Sequence, residues 1–73
     1  MDSLDLHRVK HAEVGRLLDG FIYEHIQKGS NKVKIITGKS PDMKKIVDSI
    51  AVSYDMSTSE EWGNHGCLIL KMD

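Results

Sequence analysis

Leu4-Asp5-Leu6-His7 alternates apolar and polar residues, the two-residue repeat of a half-buried strand, and then the period changes. From His11 to Lys28 the residues Val14, Leu17, Leu18, Phe21, Ile22 and Ile26 recur three and four apart, which puts them on one helix face. From Lys32 to Thr37 the chain returns to a β-type run rich in branched side chains. Strand, long helix and second strand together make a crossover unit. Its strands lie parallel and its connection is right-handed.

The rest of the chain continues the alternation. Gly29 stands where a left-handed residue closes the first helix. Gly38-Lys39 makes a turn, and Ser40-Pro41-Asp42 opens a second helix. Serine caps it, proline suits its first turn, and aspartate favours the positive end of its dipole. Met43, Ile46, Val47 and Ile50 mark its buried face. Val52 to Met56 reads as a short strand and Ser57 to His65 as a polar loop. Cys67 to Met72, apolar on both faces, reads as an inner strand. The predicted order is β-α-β-α-β-β. The expected fold is an α/β (α+β) two-layer sandwich: a four-stranded mixed sheet with two helices on one face and the other face at least partly open.

A chain of 73 residues accommodates one domain, residues 1–73, with an economical core. Cys67 has no partner for an internal disulfide, which points to a reducing compartment. No apolar run is long enough to span a bilayer, and Met1-Asp2-Ser3 lacks the features of a signal peptide, so a cytoplasmic protein with no membrane partner is expected. The net charge of −1 gives no general attraction to nucleic acid. The lysines are nevertheless clustered. Lys28, Lys32, Lys34, Lys39, Lys44 and Lys45 fall in a stretch whose one acid is Asp42, compatible with either phosphate binding or a solvated surface.

Alternation along the first strand points Leu4 and Leu6 toward the helices and projects Asp5 and His7 from the opposite face. By the same rule Lys32 and Lys34 share the open face with them. If the first and second strands are parallel, His7 and the Thr37-Gly38-Lys39-Ser40 turn meet at one sheet edge. Ligands in such sheets favour that edge. The turn leads into a helix amino terminus, whose N–H groups attract anions, and Lys39 adds a mobile cation. A histidine side chain titrates near neutrality and serves as general base or acid; a carboxylate two residues away orients it. Basic groups beside a phosphate stabilise charge in the transition state.

These residues resemble the signatures of the Smr family, the small MutS-related proteins. Leu4-Asp5-Leu6-His7 resembles the family's LDLH opening. Ile35-Ile36-Thr37-Gly38-Lys39-Ser40 is similar to its second signature, I-x-T/H-G-x-G. Gly63-Asn64-His65-Gly66, before Cys67-Leu68-Ile69-Leu70, is similar to its glycine-bearing turn before the last strand. The resemblance spans essentially the whole chain. It implies a fold like the C-terminal domain of bacterial translation initiation factor three. It also implies endonuclease activity on RNA or DNA, in several members on messenger RNA at ribosomes. By motif match the D-x-H residues fall on Asp5 and His7, and the T-G-x-G turn on Thr37, Gly38, Lys39 and Ser40. Two positions depart from the pattern: Arg8 follows LDLH where the family usually has glycine, and Ser40 replaces the last glycine. Arg8 either contacts phosphate or crowds the site.

The expected function is an Smr-type endonuclease cutting RNA rather than DNA, with ribosome-associated messenger RNA among its expected targets. His7 is the general base or acid and Asp5 its orienting group. Lys39 and the amides near Gly38 hold phosphate, and Arg8, Lys32 and Lys34 guide the strand. Trp62 either stacks on an unpaired base or covers an edge of the core. His65 reads as a solvent-exposed loop residue or an auxiliary group; His11 and His25 read as structural or solvated. No metal or other cofactor is expected, since C-x-x-C and H-E-x-x-H are missing. A cut in which the 2′-hydroxyl of RNA is the nucleophile needs only acid–base and phosphate-binding groups. The rival readings are a non-catalytic nucleic-acid or ribosome-binding module, a DNA-nicking enzyme, and a protein-interaction module.

Overall fold

The computed structural model describes residues 1–72, with elements in the expected order. These are β1 (Ser3–Asp5), α1 (His11–Lys28), β2 (Lys32–Ile36), α2 (Pro41–Ser53), β3 (Ser57–Glu61) and β4 (Asn64–Lys71). The strands are ordered β1-β2-β4-β3. β1 is parallel to β2, and β4 is antiparallel to both its neighbours, so the sheet is mixed. The apolar runs of β2 and β4 therefore occupy the two inner positions.

The helices end where their capping chemistry says they should. Gly29, at φ 74°, closes α1; its N–H donates to the Ile26 carbonyl at 3.0 Å and the Ser30 N–H to that of His25 at 3.0 Å. Ser40 Oγ accepts from the Met43 N–H at 3.1 Å, and Pro41 begins α2. The buried stripe of α1 is Val14, Leu18, Ile22 and His25. Ile26, expected on that face, is exposed, and His25 takes its place. Both ring nitrogens of His25 have partners, Phe21 O at 2.9 Å and Asp2 Oδ2 at 3.0 Å, which is how a buried imidazole is tolerated.

One face of the sheet meets both helices. Val33 and Ile35 pair with Leu70 and Leu68, and these four join Leu6, the α1 stripe and Met43, Val47 and Ala51 of α2 in one apolar cluster. The alternate residues Lys34, Ile36 and Ile69 belong to the other face.

The structure corrects the reading of residues 52–65. No strand forms over Val52–Met56: α2 continues to Ser53, Tyr54 caps it, and Asp55 reverses the chain at φ 59°. The strand lies instead at Ser57–Glu61, where a polar loop was expected. β3 is an edge strand, and its polar sequence suits an edge that must not recruit another chain. Pairing with β4 holds it, from Ser57 opposite Lys71 to Glu60 opposite Leu68. Thr58 Oγ1 ties it to α2 by donating to Asp48 Oδ1 at 2.8 Å. Trp62 and Gly63 form the tight turn into β4, Gly63 supplying the positive φ of 75°, so His65 lies in a strand and not in a loop.

Candidate nucleic-acid site at the sheet edge

β1 stops at Asp5, and the next residue is buried. The Leu6 N–H donates to the Ile36 carbonyl at 2.8 Å, and its own carbonyl accepts from the Val9 N–H at 3.0 Å, so the chain turns at once. That turn brings His7 back onto Asp5. Asp5 Oδ1 accepts from the His7 backbone N–H at 3.0 Å and lies 3.1 Å from His7 Nδ1. The expected pair is present, but a tight turn creates it and strand alternation does not. A carboxylate only accepts, so Nδ1 carries the hydrogen and Nε2 is left for an external proton.

The hydrogen bond from the His7 backbone, followed by the one from its ring, holds the Asp5 carboxyl below its ordinary value of 3.8. A lowered folded-state value stabilises the fold above the unfolded value, and that contribution disappears as pH falls through the folded one. Asp5→Asn is therefore expected to lower the melting temperature at pH 7, with the difference from the parent closing below about pH 3.8. Melting curves from pH 7 to pH 3 check this; a constant difference would refute it.

Arg8 has φ 123°, a region that side-chain-bearing residues avoid. The turn after His7 is thus one that glycine makes without strain. Relief of strain of about 1–3 kcal/mol, less about 0.5–1 kcal/mol for the freer unfolded chain, leaves Arg8→Gly more stable by about 1 kcal/mol. A rise in melting temperature of roughly 4–8 °C is expected for a domain of this size, and an unchanged or lower value would show that the turn is relaxed.

The second wall comes from the β2–α2 turn and the start of β4. The Thr37 and Gly38 N–H groups both donate to the Gly66 carbonyl, at 2.9 and 3.0 Å, and Thr37 Oγ1 donates to the Gly38 carbonyl at 2.8 Å. Thr37 is buried, so its polar groups shape the turn from within. The Gly38 amide is likewise engaged. The Lys39 and Ser40 N–H groups have no acceptor among the described residues. Gly38 has φ 68°, and a Cβ placed on it would lie 3.4 Å from His7 Cβ, so glycine lets this turn lie against the histidine.

His7, Arg8, Val9, His11, Thr37, Gly38, Lys39, Ser40 and Met43 line one hollow of about 340 Å³. His11, read from the sequence as structural or solvated, is exposed and belongs to this lining. Arg8 and Lys39 make no salt bridge among the described residues. A larger hollow of about 780 Å³ lies on the outer side of α1, beside Leu17, Phe21 and Tyr23. It holds no histidine and none of the β2–α2 turn, so the smaller one is where the residues expected to serve acid–base chemistry and phosphate binding meet.

Not every expected residue gathers there. Lys34 Nζ lies 2.9 Å from Glu61 Oε2, and this pairing raises the lysine's pKa and lowers the glutamate's. Lys32 stands at the other end of β2, four residues from Ile36 and so roughly 13 Å away. Trp62 is 97% exposed and covers no core. His65 is exposed, its Nδ1 3.1 Å from Glu60 Oε2, and Glu60 also meets Lys44 Nζ at 3.4 Å. The acceptor that fixes the Thr37-Gly38 turn, Gly66 O, was missed; the glycine-bearing turn before β4 was its sequence signal. Among the described residues no three His, Cys, Asp or Glu side chains are grouped so as to hold a metal ion, and no helix is long and apolar enough to cross a membrane.

The Smr domain family model matches residues 4–73, from the first residue of the LDLH run onward. The solution structure of the SMR domain of NEDD4-binding protein 2 has the same fold, with a TM-score of 0.67 and 25% sequence identity. That similarity covers 100% of this chain and 86% of the other. No curated protein matches the sequence. With the family model matching nearly the whole chain and the fold shared with a solved SMR domain, the chain belongs to the Smr domain family, which is linked to nucleic-acid binding and nuclease activity.

Proposed function

We propose that this protein is an endonuclease that cuts single-stranded RNA by acid–base catalysis at His7. The observation that carries the reading is the His7 ring, held through Nδ1 by the Asp5 carboxylate, beside a hollow bearing the cations Arg8 and Lys39, which make no salt bridge among the described residues. A phosphate seated there meets Lys39 and the N–H groups of Lys39 and Ser40. His7 Nε2 takes the proton of the adjacent 2′-hydroxyl. The 2′-oxygen bonds to phosphorus, the bond to the 5′-oxygen breaks, and that oxygen takes a proton from solvent. The products are a 2′,3′-cyclic phosphate and a 5′-hydroxyl. The cations and amides stabilise the charge that builds on the phosphate oxygens.

The test is incubation of end-labelled single-stranded RNA and its DNA counterpart with the protein, with and without EDTA. Cleavage of RNA alone, insensitive to EDTA and ending in cyclic phosphate, is expected. Cleavage of DNA as well, or 3′-hydroxyl ends, would replace the 2′-hydroxyl route with hydrolysis. Salt-sensitive RNA retention without any product would leave a binding module.

A further inference from the structure

Trp62 is the chain's one tryptophan and is 97% exposed at the tip of the β3–β4 turn. A large aromatic ring that packs on nothing is costly to keep in water and marks a contact with something outside the chain. Its position relates it to the site just described. Glu61, its neighbour, pairs across the hairpin with Asn64. Asn64 Oδ1 accepts from the Gly66 N–H at 3.0 Å, and the Gly66 carbonyl holds the turn that lies against His7. From Asn64 to Gly66 is two strand residues, roughly 7 Å. Trp62 thus stands on the same sheet edge as His7, at its far side.

The hairpin would repel phosphate if its two glutamates were bare. Neither is. Glu61 is paired with Lys34 at 2.9 Å, and Glu60 with Lys44 at 3.4 Å and with His65 at 3.1 Å. Asn64 also donates to Glu61 Oε1 at 3.0 Å, which holds the turn in shape. The tip therefore presents an aromatic ring on a fixed turn whose carboxylates are offset by cations. Base-binding surfaces combine such rings with a nearby path for phosphate, and every base has a face to stack.

The geometry points to Trp62 as a stacking platform for an unpaired base of the strand whose phosphate lies at His7 and Lys39, which makes the substrate a single-stranded nucleic acid. The assignment rests on the proposed phosphate site. A base paired in a duplex has its faces covered by its neighbours, so a helical substrate would have to open to reach the ring.

Because Trp62 is the one tryptophan, its fluorescence reads this contact alone, whether or not the strand is cut. The experiment titrates the His7→Ala protein with short single-stranded RNA, the same sequence as DNA, and a duplex of that sequence, following tryptophan emission and anisotropy of the labelled strand. Saturable quenching by single strands and little by duplex is expected. RNA and DNA arms tell which sugar the site accepts, and quenching by either supports the stacking. Trp62→Ala should bind about 5- to 150-fold more weakly, Trp62→Phe should recover most of the affinity, and both should melt with the parent. Binding seen by anisotropy without quenching, equal quenching by duplex, or undiminished affinity in Trp62→Ala would each overturn the assignment. So would a self-associating parent that Trp62→Ala turns into a monomer, since the ring would then serve a second copy. Failure of cleavage with quenching intact would remove the catalytic reading and leave this one standing.

Discussion

Replacing His7 with alanine is expected to slow phosphodiester cleavage by roughly 10²- to 10⁴-fold, the range that a positioned general base contributes. The fold should be unaffected. The His7 side chain is 47% exposed, and the bonds that shape its turn, Leu6 N–H to Ile36 O and Val9 N–H to Leu6 O, are backbone bonds that alanine keeps. The His7 N–H can still donate to Asp5. Only the imidazole is lost, and with it the histidine of this hollow whose ring is held by a carboxylate; His11, which also lines the hollow, stays in place. His7→Gln sharpens the experiment, because it retains hydrogen bonding without proton transfer and should bind RNA yet fail to cut it. Rates are compared under single-turnover conditions with melting temperatures measured in parallel. Cleavage unchanged in either variant would move the chemistry away from this pair.

Much of this arrangement can be read in the sequence because it depends on local rules. The spacing of Val14, Leu18 and Ile22 and the presence of Gly29 define α1 at both ends, and Ser40-Pro41 defines the start of α2. These are properties of a few neighbouring residues, so a single sequence carries them. β3 escapes because nothing local marks Ser57–Glu61 as a strand; it is extended only because β4 offers it a ladder, and an edge position rewards polarity. The Asp5–His7 pair is legible as a spacing, but its geometry comes from Leu6 being drawn into the core and from Arg8 adopting φ 123°. The engagement of Lys34 by Glu61 crosses from β2 to β3 over β4, and residues so far apart in sequence give no sign that they will meet. Elements were thus readable where the signal is periodic, and site electrostatics were not, because they depend on which strands become neighbours.

Leu6→Ala is expected to have the largest effect on stability, and it tests how the core sets the site. Leu6 is fully buried, stands between Asp5 and His7, and belongs to the same cluster as Leu18, Val33 and Ile35. Truncating such a leucine costs about 2–5 kcal/mol, from lost burial and the cavity left behind. A chain of 73 residues at roughly 0.05–0.15 kcal/mol per residue has only about 4–11 kcal/mol to lose. A fall in melting temperature of more than about 10 °C should follow. The consequence for the site is separate. With the side chain gone, the turn that presses His7 onto Asp5 loses its anchor in the core and is held only by hydrogen bonds and the contact with Gly38. Cleavage should therefore drop even at temperatures where the variant is folded. Leu17→Ala is the control, since Leu17 is only partly buried and lines the outer hollow of α1, away from His7. It should cost less stability and leave the cleavage rate of the folded fraction intact. If the two variants lose stability equally, or if folded Leu6→Ala cuts RNA at the parent rate, the packing of Leu6 is not what fixes the Asp5–His7 geometry.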